Sequence, residues 1–166
     1  MSETPNITLR PATAGDRELL LAVYAASREI ELSMVPWDEE QKRTFVVHQF
    51  DAQTDYYTKT FPGATHDIIE ADSVPAGRLY VDRRNDEIAI LDITVLPPFR
   101  RRGIGTHLIR NLQNEASERI VSVYVEGFNP SLQLFEKLGF TAVSNDDVNL
   151  RLEWRSGPGS SPASSR

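Results

Sequence analysis

The sequence contains no cysteine. Disulfides, thiolate metal sites and a cysteine nucleophile are therefore excluded, and the composition fits a reducing, cytoplasmic setting. Histidine is scarce as well. His48, His66 and His107 lie far apart with no i, i+4 pair, so no metal site is expected. No stretch approaches about 18 consecutive apolar residues, so no membrane-spanning helix is expected. Met1–Asn6 is polar and lacks the apolar run of a signal peptide. No Gly-x-Ser-x-Gly elbow is present, which leaves serine hydrolase chemistry without support. Positive charge is in the minority: 18 Lys and Arg against 24 Asp and Glu give a formal net charge of -6. A polyanionic partner wants a broad basic face, so nucleic acid is not an expected partner. An acidic protein suits a cationic substrate such as an amine.

What remains is enough for one domain: 166 residues, 40% of them hydrophobic. The folded unit is expected over residues 6–155. Residues 156–166 are mostly Ser, Gly, Pro and Ala, and are expected to form a disordered tail.

Ile7–Arg10 reads as a strand stopped by Pro11. Thr13 and Asp16 have the spacing of a capping box ahead of a helix with Leu19, Leu20, Val23, Tyr24 and Ser27 on one face. Asp38 with Gln41 offers a second cap. The helix it opens carries a stripe of Phe45, Val46, Gln49, Phe50, Gln53, Tyr56 and Tyr57, and Pro62-Gly63 ends it. Strands follow at His66–Ala71, Gly77–Arg83 and Glu87–Leu96. The last is apolar on both faces and is expected to be central in the sheet. Helical spacing runs from Gly103 to Glu118, and Ile120–Glu126 alternates as a strand. Asn129-Pro130 starts a helix, with Asn as cap and Pro at the first helical position. Gly139 stops it in the left-handed conformation, with Phe140 as the hydrophobic closing contact. Strands at Thr141–Ser144 and Val148–Trp154 complete the chain. This order predicts an α/β sandwich whose mixed central sheet has about six to seven strands and about four helices.

The segment Pro97-Pro98-Phe99-Arg100-Arg101-Arg102-Gly103-Ile104-Gly105-Thr106 joins the central strand to a helix. Backbone N–H groups at a helix start are unsatisfied and partly positive. Glycines admit a large anion close to the backbone, and three arginines add charge. The combination reads as a pyrophosphate site. A surface turn with solvated arginines is the competing reading. No Lys-Ser or Lys-Thr follows the second glycine, so this is not a P-loop. Leu108 replaces the third glycine of a dinucleotide fingerprint.

Arg100-x-x-Gly103-x-Gly105, placed just after Val95 and Pro97, resembles the acetyl-coenzyme A loop of the GNAT superfamily of N-acetyltransferases. Asn129-Pro130-Ser131 followed by Leu134-Phe135-Glu136-Lys137-Leu138-Gly139-Phe140 resembles that superfamily's second signature. The resemblance spans roughly Ile7 to Trp154. It implies a GNAT-like fold and acetyl-coenzyme A as cofactor. It also implies that the strand Glu87–Leu96 splays from Ile120–Glu126. The pantetheine arm then lies along Ile93, Thr94 and Val95, and the diphosphate along Arg100, Arg101, Arg102, Gly103, Ile104, Gly105 and Thr106. Asn129, Ser131, Phe135 and Lys137 complete the implied cofactor contacts. The implied activity is transfer of an acetyl group to a primary amine of a small molecule or protein, by direct attack in a ternary complex. A non-catalytic acyl-coenzyme A sensor is the alternative. No membrane or nucleic-acid partner is implied, and a homodimer is compatible.

Such transfer needs a neutral amine, oxyanion donors and a route for the departing thiolate. Backbone N–H groups near Val95 are the candidate oxyanion donors. The family usually carries a tyrosine as proton donor where this chain has Phe135. Tyr124 on the neighbouring strand is the candidate substitute. Asp92 interrupts the face formed by Ile88, Ile90 and Thr94, which makes it the candidate base. A structural ion pair is its other reading. Glu126, at the end of the facing strand, is a second candidate, or a solvated strand end. In this architecture the acceptor is usually gripped by the first two helices and their connection, which offers Glu29, Trp37 and Tyr56. Phe45, Phe50 and Tyr56 also read as core.

Overall fold

The structure, a computed structural model, describes residues 4–127, 129–145 and 149–157. Its strands are β1 (Ile7–Pro11), β2 (Thr65–Ala71), β3 (Val74–Arg83), β4 (Glu87–Val95), β5 (Ile120–Glu126), β6 (Thr141–Asn145) and β7 (Asn149–Trp154). They form one mixed sheet in the order β1-β2-β3-β4-β5-β7-β6. The helices are α1 (Arg17–Ser27), α2 (Glu29–Ser33), α3 (Glu39–Thr60), α4 (Ile104–Ala116) and α5 (Ser131–Lys137). The fold class matches the expectation. One detail differs: the short α2 was read as a break. In the sheet β7 lies beside β5, and β6 is at the edge. The expected start of β7 at Val148 and most of the expected tail lie outside the described residues. Ser156 donates to the carbonyl of Ser117 at 2.7 Å.

Two compact units make up the chain. One comprises the chain up to Leu79 with Ile93–Arg102; the other comprises Tyr80–Asp92 with the chain from Gly103 onward.

In the first unit, α1 and α3 pack on β2 through Leu20, Leu21, Tyr24, Val46, Phe50 and Ile68. Tyr24 meets Phe50 edge-on at 6.0 Å. Both expected capping devices form. The Asp16 carboxylate accepts from the Thr13 N–H at 2.8 Å. Asp38 accepts from Gln41 N–H at 2.8 Å, while the Gln41 side chain accepts from Asp38 N–H at 2.9 Å. The turn between β2 and β3 is tighter than expected. Asp72 and Ser73 both take positive φ, 50° and 69°, which closes a hairpin in two residues. Asp72 tolerates this by accepting from Asn6 N–H at 2.9 Å, so β3 begins at Val74.

In the second unit, β4 and β5 run parallel, with Ile88 beside Val121 and Ile90 beside Val123. These residues are buried, together with Leu108, Ile109 and Leu112 of α4. Helix α5 closes as the sequence predicts. Gly139 takes φ 98°, its N–H reaches Glu136 O at 3.1 Å, and Phe140 N–H reaches Phe135 O at 3.1 Å. The Phe135 and Phe140 rings meet at 5.1 Å as the closing contact.

Several carboxylates are held below their ordinary range. For Asp16 the cause is first the Arg10 guanidinium, at 2.9 and 3.0 Å, then the Thr13 N–H. Burial pushes Glu87 up, but hydrogen bonds from Ser122 and from Arg151 at 3.0 Å outweigh it and leave the carboxyl depressed. A group depressed on folding contributes stability that is complete above its unfolded pKa, about 4, and is lost as pH falls through the lower folded value. Urea unfolding is therefore expected to show level stability down to about pH 5 and a decline below about pH 4. Glu87→Gln should lower stability at neutral pH and shrink that acid decline. An unaltered pH profile in the variant would exclude Glu87 as a contributor.

Candidate functional site

The turn after β4 is built from a 3-10 segment, Pro97–Phe99, and then three arginines. Arg101 takes φ 64° and Gly103 takes φ 83°, so the chain curls before α4 begins. A non-glycine residue in the left-handed region costs about 1–2 kcal/mol. Gly103 is the N-cap of α4 and has no side chain to cap the first turn. Acidic residues occupy the first turns of α1 (Glu18) and α3 (Glu39, Glu40), but none lies in the first turn of α4. The positive end of α4 is thus left uncompensated, a donor set that fits a diphosphate.

The three arginines differ. Arg102 lies over the Phe99 ring at 5.9 Å. Arg100 is committed twice: Nε donates to Val95 O at 3.1 Å, and Nη1 donates to Glu29 Oε2 at 2.6 Å. Glu29 and Arg100, expected on opposite substrates, are brought together. Gly105 has a packing role that the sequence reading missed. A Cβ there would sit 3.2 Å from Leu134 Cδ2, so the glycine lets α4 approach α5. Ile104 is buried and offers only its backbone.

Parallel pairing of β4 with β5 covers Glu87–Ile90 and Ile120–Val123 only, whereas β5 stays paired with β7 through Glu126. The last residues of β4 are fixed within the first unit. Leu96 N–H donates to Ala76 O at 2.7 Å. At Gly77 an added Cβ would stand 2.0 Å from Thr94 O and 3.0 Å from Val95 Cα. Thr94 is buried, and Ile93 and Val95 are half-buried.

Among the catalytic candidates, Asp92 is half-buried and continues the buried face of Ile88 and Ile90. Strand alternation and the register Ala89–Ser122 put Tyr124 and Glu126 on the opposite face. Tyr124 is 63% exposed, with the Arg151 guanidinium 5.7 Å from its ring centre. Glu126 is half-buried beside Asn129, whose Nδ2 lies 3.5 Å from Glu126 Oε1. Asn129 Oδ1 accepts from Ser131 N–H at 2.8 Å, but α5 begins at Ser131 with Pro130 at its N-cap, one residue later than expected. Phe135 is 1% exposed, a sealed core ring rather than a surface open to ligand. Lys137 is exposed at the far end of α5.

The acceptor candidates separate. Trp37 precedes α3 and Tyr56 lies near its far end, with roughly 25 Å of helix between them at 1.5 Å per residue, too far to grip one small amine. Trp37 packs on Phe45 at 5.3 Å and lines an open groove of about 550 Å³ with Glu40, Gln41, Thr44 and His48. Its acidic neighbour is Glu40, not Glu29. Tyr56 packs on Tyr57 and Phe61, and Phe50 is core. Among the described residues, no helix is long and apolar enough to cross a membrane, and no cluster of three or more His, Asp or Glu could hold a metal ion. Gly77 and Arg151 were missed. Gly77 had only the signal of a glycine inside a strand pattern, and Arg151 had none.

Over residues 28–140 the sequence matches the Acetyltransferase (GNAT) family. Similar solved structures include a PaiA N-acetyltransferase from Thermoplasma acidophilum in complex with coenzyme A, at 16% identity and TM-score 0.70, covering 91% of this chain and 99% of that one. An acetyltransferase from Thermus thermophilus shares 18% identity at TM-score 0.67, over 93% and 99% of the two chains. Arabidopsis thaliana Naa50, in complex with the bisubstrate analogue CoA-Ac-MVNAL, shares 13% identity at TM-score 0.58, over 90% and 99%. At these identities the likeness is one of fold. No curated protein matches the sequence.

Gly77 gives the sharpest test of this geometry. Gly77→Ala forces its Cβ into the Thr94 carbonyl, and overpacking of this kind costs about 1–3 kcal/mol or more. Gly63→Ala, with nothing within 4 Å of the new Cβ, is expected to be near neutral. Thermal unfolding of both variants checks this. Equal melting temperatures would show that the end of β4 is not held by close approach at Gly77.

Proposed function

The chain belongs to the acetyltransferase (GNAT) family of acetyl-coenzyme A-dependent enzymes, and on that premise we propose that it acetylates a primary amine of a small molecule or protein by direct attack in a ternary complex. The observation that carries the reading is the uncapped, acid-free N-terminus of α4 behind an arginine-rich turn. Acetyl-coenzyme A supplies an activated thioester carbonyl.

The N–H groups of Ile104, Gly105 and Thr106, with the side chains of Arg101 and Arg102, would hold the diphosphate. The backbone of Ile93, Thr94 and Val95 would hold the pantetheine arm as an added strand holds a sheet edge. The Val95 carbonyl already accepts from Arg100. Asn129 and Ser131 flank the arm.

A lysine-type amine has a pKa of about 10.4 and an α-amine about 8, so the acceptor arrives largely protonated. Asp92 takes that proton, directly or through water. Glu126 attracts the cation. Tyr124, exposed and packed beside Arg151, is not assigned a proton. A thiol pKa near ~8.5 makes a thiolate a tolerable leaving group without an acid. The sensor alternative rested on the missing tyrosine at 135. A ring sealed in the core carries no weight for it.

Coenzyme A at a hundredfold excess over its Kd should stabilise the native state by about 2.7 kcal/mol, seen as a rise in melting temperature. Asp92→Asn should keep that rise and lose about 10²–10⁴ in turnover, measured as thiol release with a panel of amines. The loss should shrink as pH rises and the amine deprotonates unaided. A stable variant with full activity would remove Asp92 from the mechanism.

A further inference from the structure

Arg100 stands at the base of the anion-binding turn, yet its guanidinium points back along the chain. Its Nε is bonded to Val95 O, five residues earlier, and its Nη1 to Glu29, 71 residues earlier. Glu29 is the first residue of α2. That helix is only five residues long, contains no fully buried residue, and has no side-chain cap at its start. Arg28, just before it, meets Glu31 at 3.0 Å, and Ser33 Oγ donates to Ile30 O at 2.6 Å. Leu32 is its partial apolar anchor. A five-residue helix in water does not hold itself, so its order depends on what ties it down. The Glu29–Arg100 pair ties it to the segment that ends β4 and opens the turn.

We propose that Arg100 is a positioning residue that couples occupancy of the anion-binding turn to the order of α2, and that it is not itself a diphosphate ligand. The proposal rests on the reading above, in which the diphosphate lies at the start of α4. Moving the guanidinium onto a phosphate would break two bonds and leave the Glu29 carboxylate without this cation. Holding it where it is costs nothing. An anion that orders Arg101–Thr106 also fixes the backbone of Arg100, and through Nη1 fixes Glu29 and α2. By linkage, ordering α2 favours the anion equally. The pair is half-exposed, so its worth lies in placement more than in stability.

The test is amide hydrogen exchange on the full chain with and without coenzyme A, read in the peptide covering α2, with coenzyme A affinity measured by calorimetry. In the wild type, coenzyme A should slow exchange in α2 by about fivefold. Glu29→Gln and Arg100→Lys should each weaken coenzyme A binding by no more than the same factor of about five and leave the ligand-free melting temperature nearly unchanged, while abolishing the slowing in α2. A purely structural role would alter ligand-free stability and would not remove a ligand-dependent response. The proposal is overturned if Arg100→Lys binds coenzyme A about tenfold more weakly, as loss of a charge-assisted bond predicts, while Glu29→Gln binds it more tightly because a cation is freed. It is also overturned if coenzyme A leaves α2 exchange unaltered in the wild type. If the wild type does not bind coenzyme A at all, the reading of the turn fails first and this proposal falls with it.

Discussion

A helix that begins on glycine, with no capping side chain and no acid in its first turn, has its positive end open. Helix α4 is in that state, and the functional account depends on it. Nearby features serve that opening. Arg101 accepts a strained left-handed conformation so that the chain can curl ahead of the helix. Gly105 lacks a side chain, so α4 seats against Leu134 without displacing it. The inner face of α4 supplies the anchoring through Ile104, Leu108, Ile109, Leu112 and Ala116, all buried. An anion there would meet donors whose direction is already fixed, which lowers the ordering cost of binding.

Charge is distributed to the same end. Elsewhere the arginines are paired: Arg10 with Asp16 and Glu70, Arg17 with Asp51, Arg83 with Glu115, and Arg151 with Glu87 and Glu153. These pairs hold the carboxyls of Asp16, Asp51, Glu87 and Glu115 below their ordinary range, and they engage much of the positive charge of an acidic chain. Arg100 belongs with them, through Glu29. What the turn then offers a ligand is mainly backbone dipole, supplemented by Arg101 and Arg102. This favours one compact anion over an extended polyanion.

Most of the fold is legible in the sequence because its signals are local. Thr13 with Asp16, Asp38 with Gln41, Asn129-Pro130 and Gly139-Phe140 each fix an element boundary through hydrogen bonds spanning a few residues. The uniformly apolar run Ile88–Ile90 likewise marks a central strand. Three features escape because they are decided by distant partners. The tight Asp72-Ser73 turn depends on Asn6 as well as on local conformation. The sheet order β5-β7-β6 leaves no local trace. The five-residue α2 is weak in propensity and is tied through Arg100. The same division holds at the site. The turn and the signature after β5 are visible as motifs, whereas the commitment of Arg100, the burial of Phe135 and the placement of Tyr124 opposite Asp92 follow from packing and register. Gly77 is the clearest case, since its importance lies in a carbonyl seventeen residues away.

The central claim is that the start of α4 receives the coenzyme A diphosphate. The most direct measurement is an amide NMR titration of the isotope-labelled chain with coenzyme A. The account predicts that the largest shifts fall on the N–H groups of Gly103, Ile104, Gly105 and Thr106, and that inorganic diphosphate reproduces them in part. Saturable coenzyme A binding that leaves those four amides unmoved would contradict it.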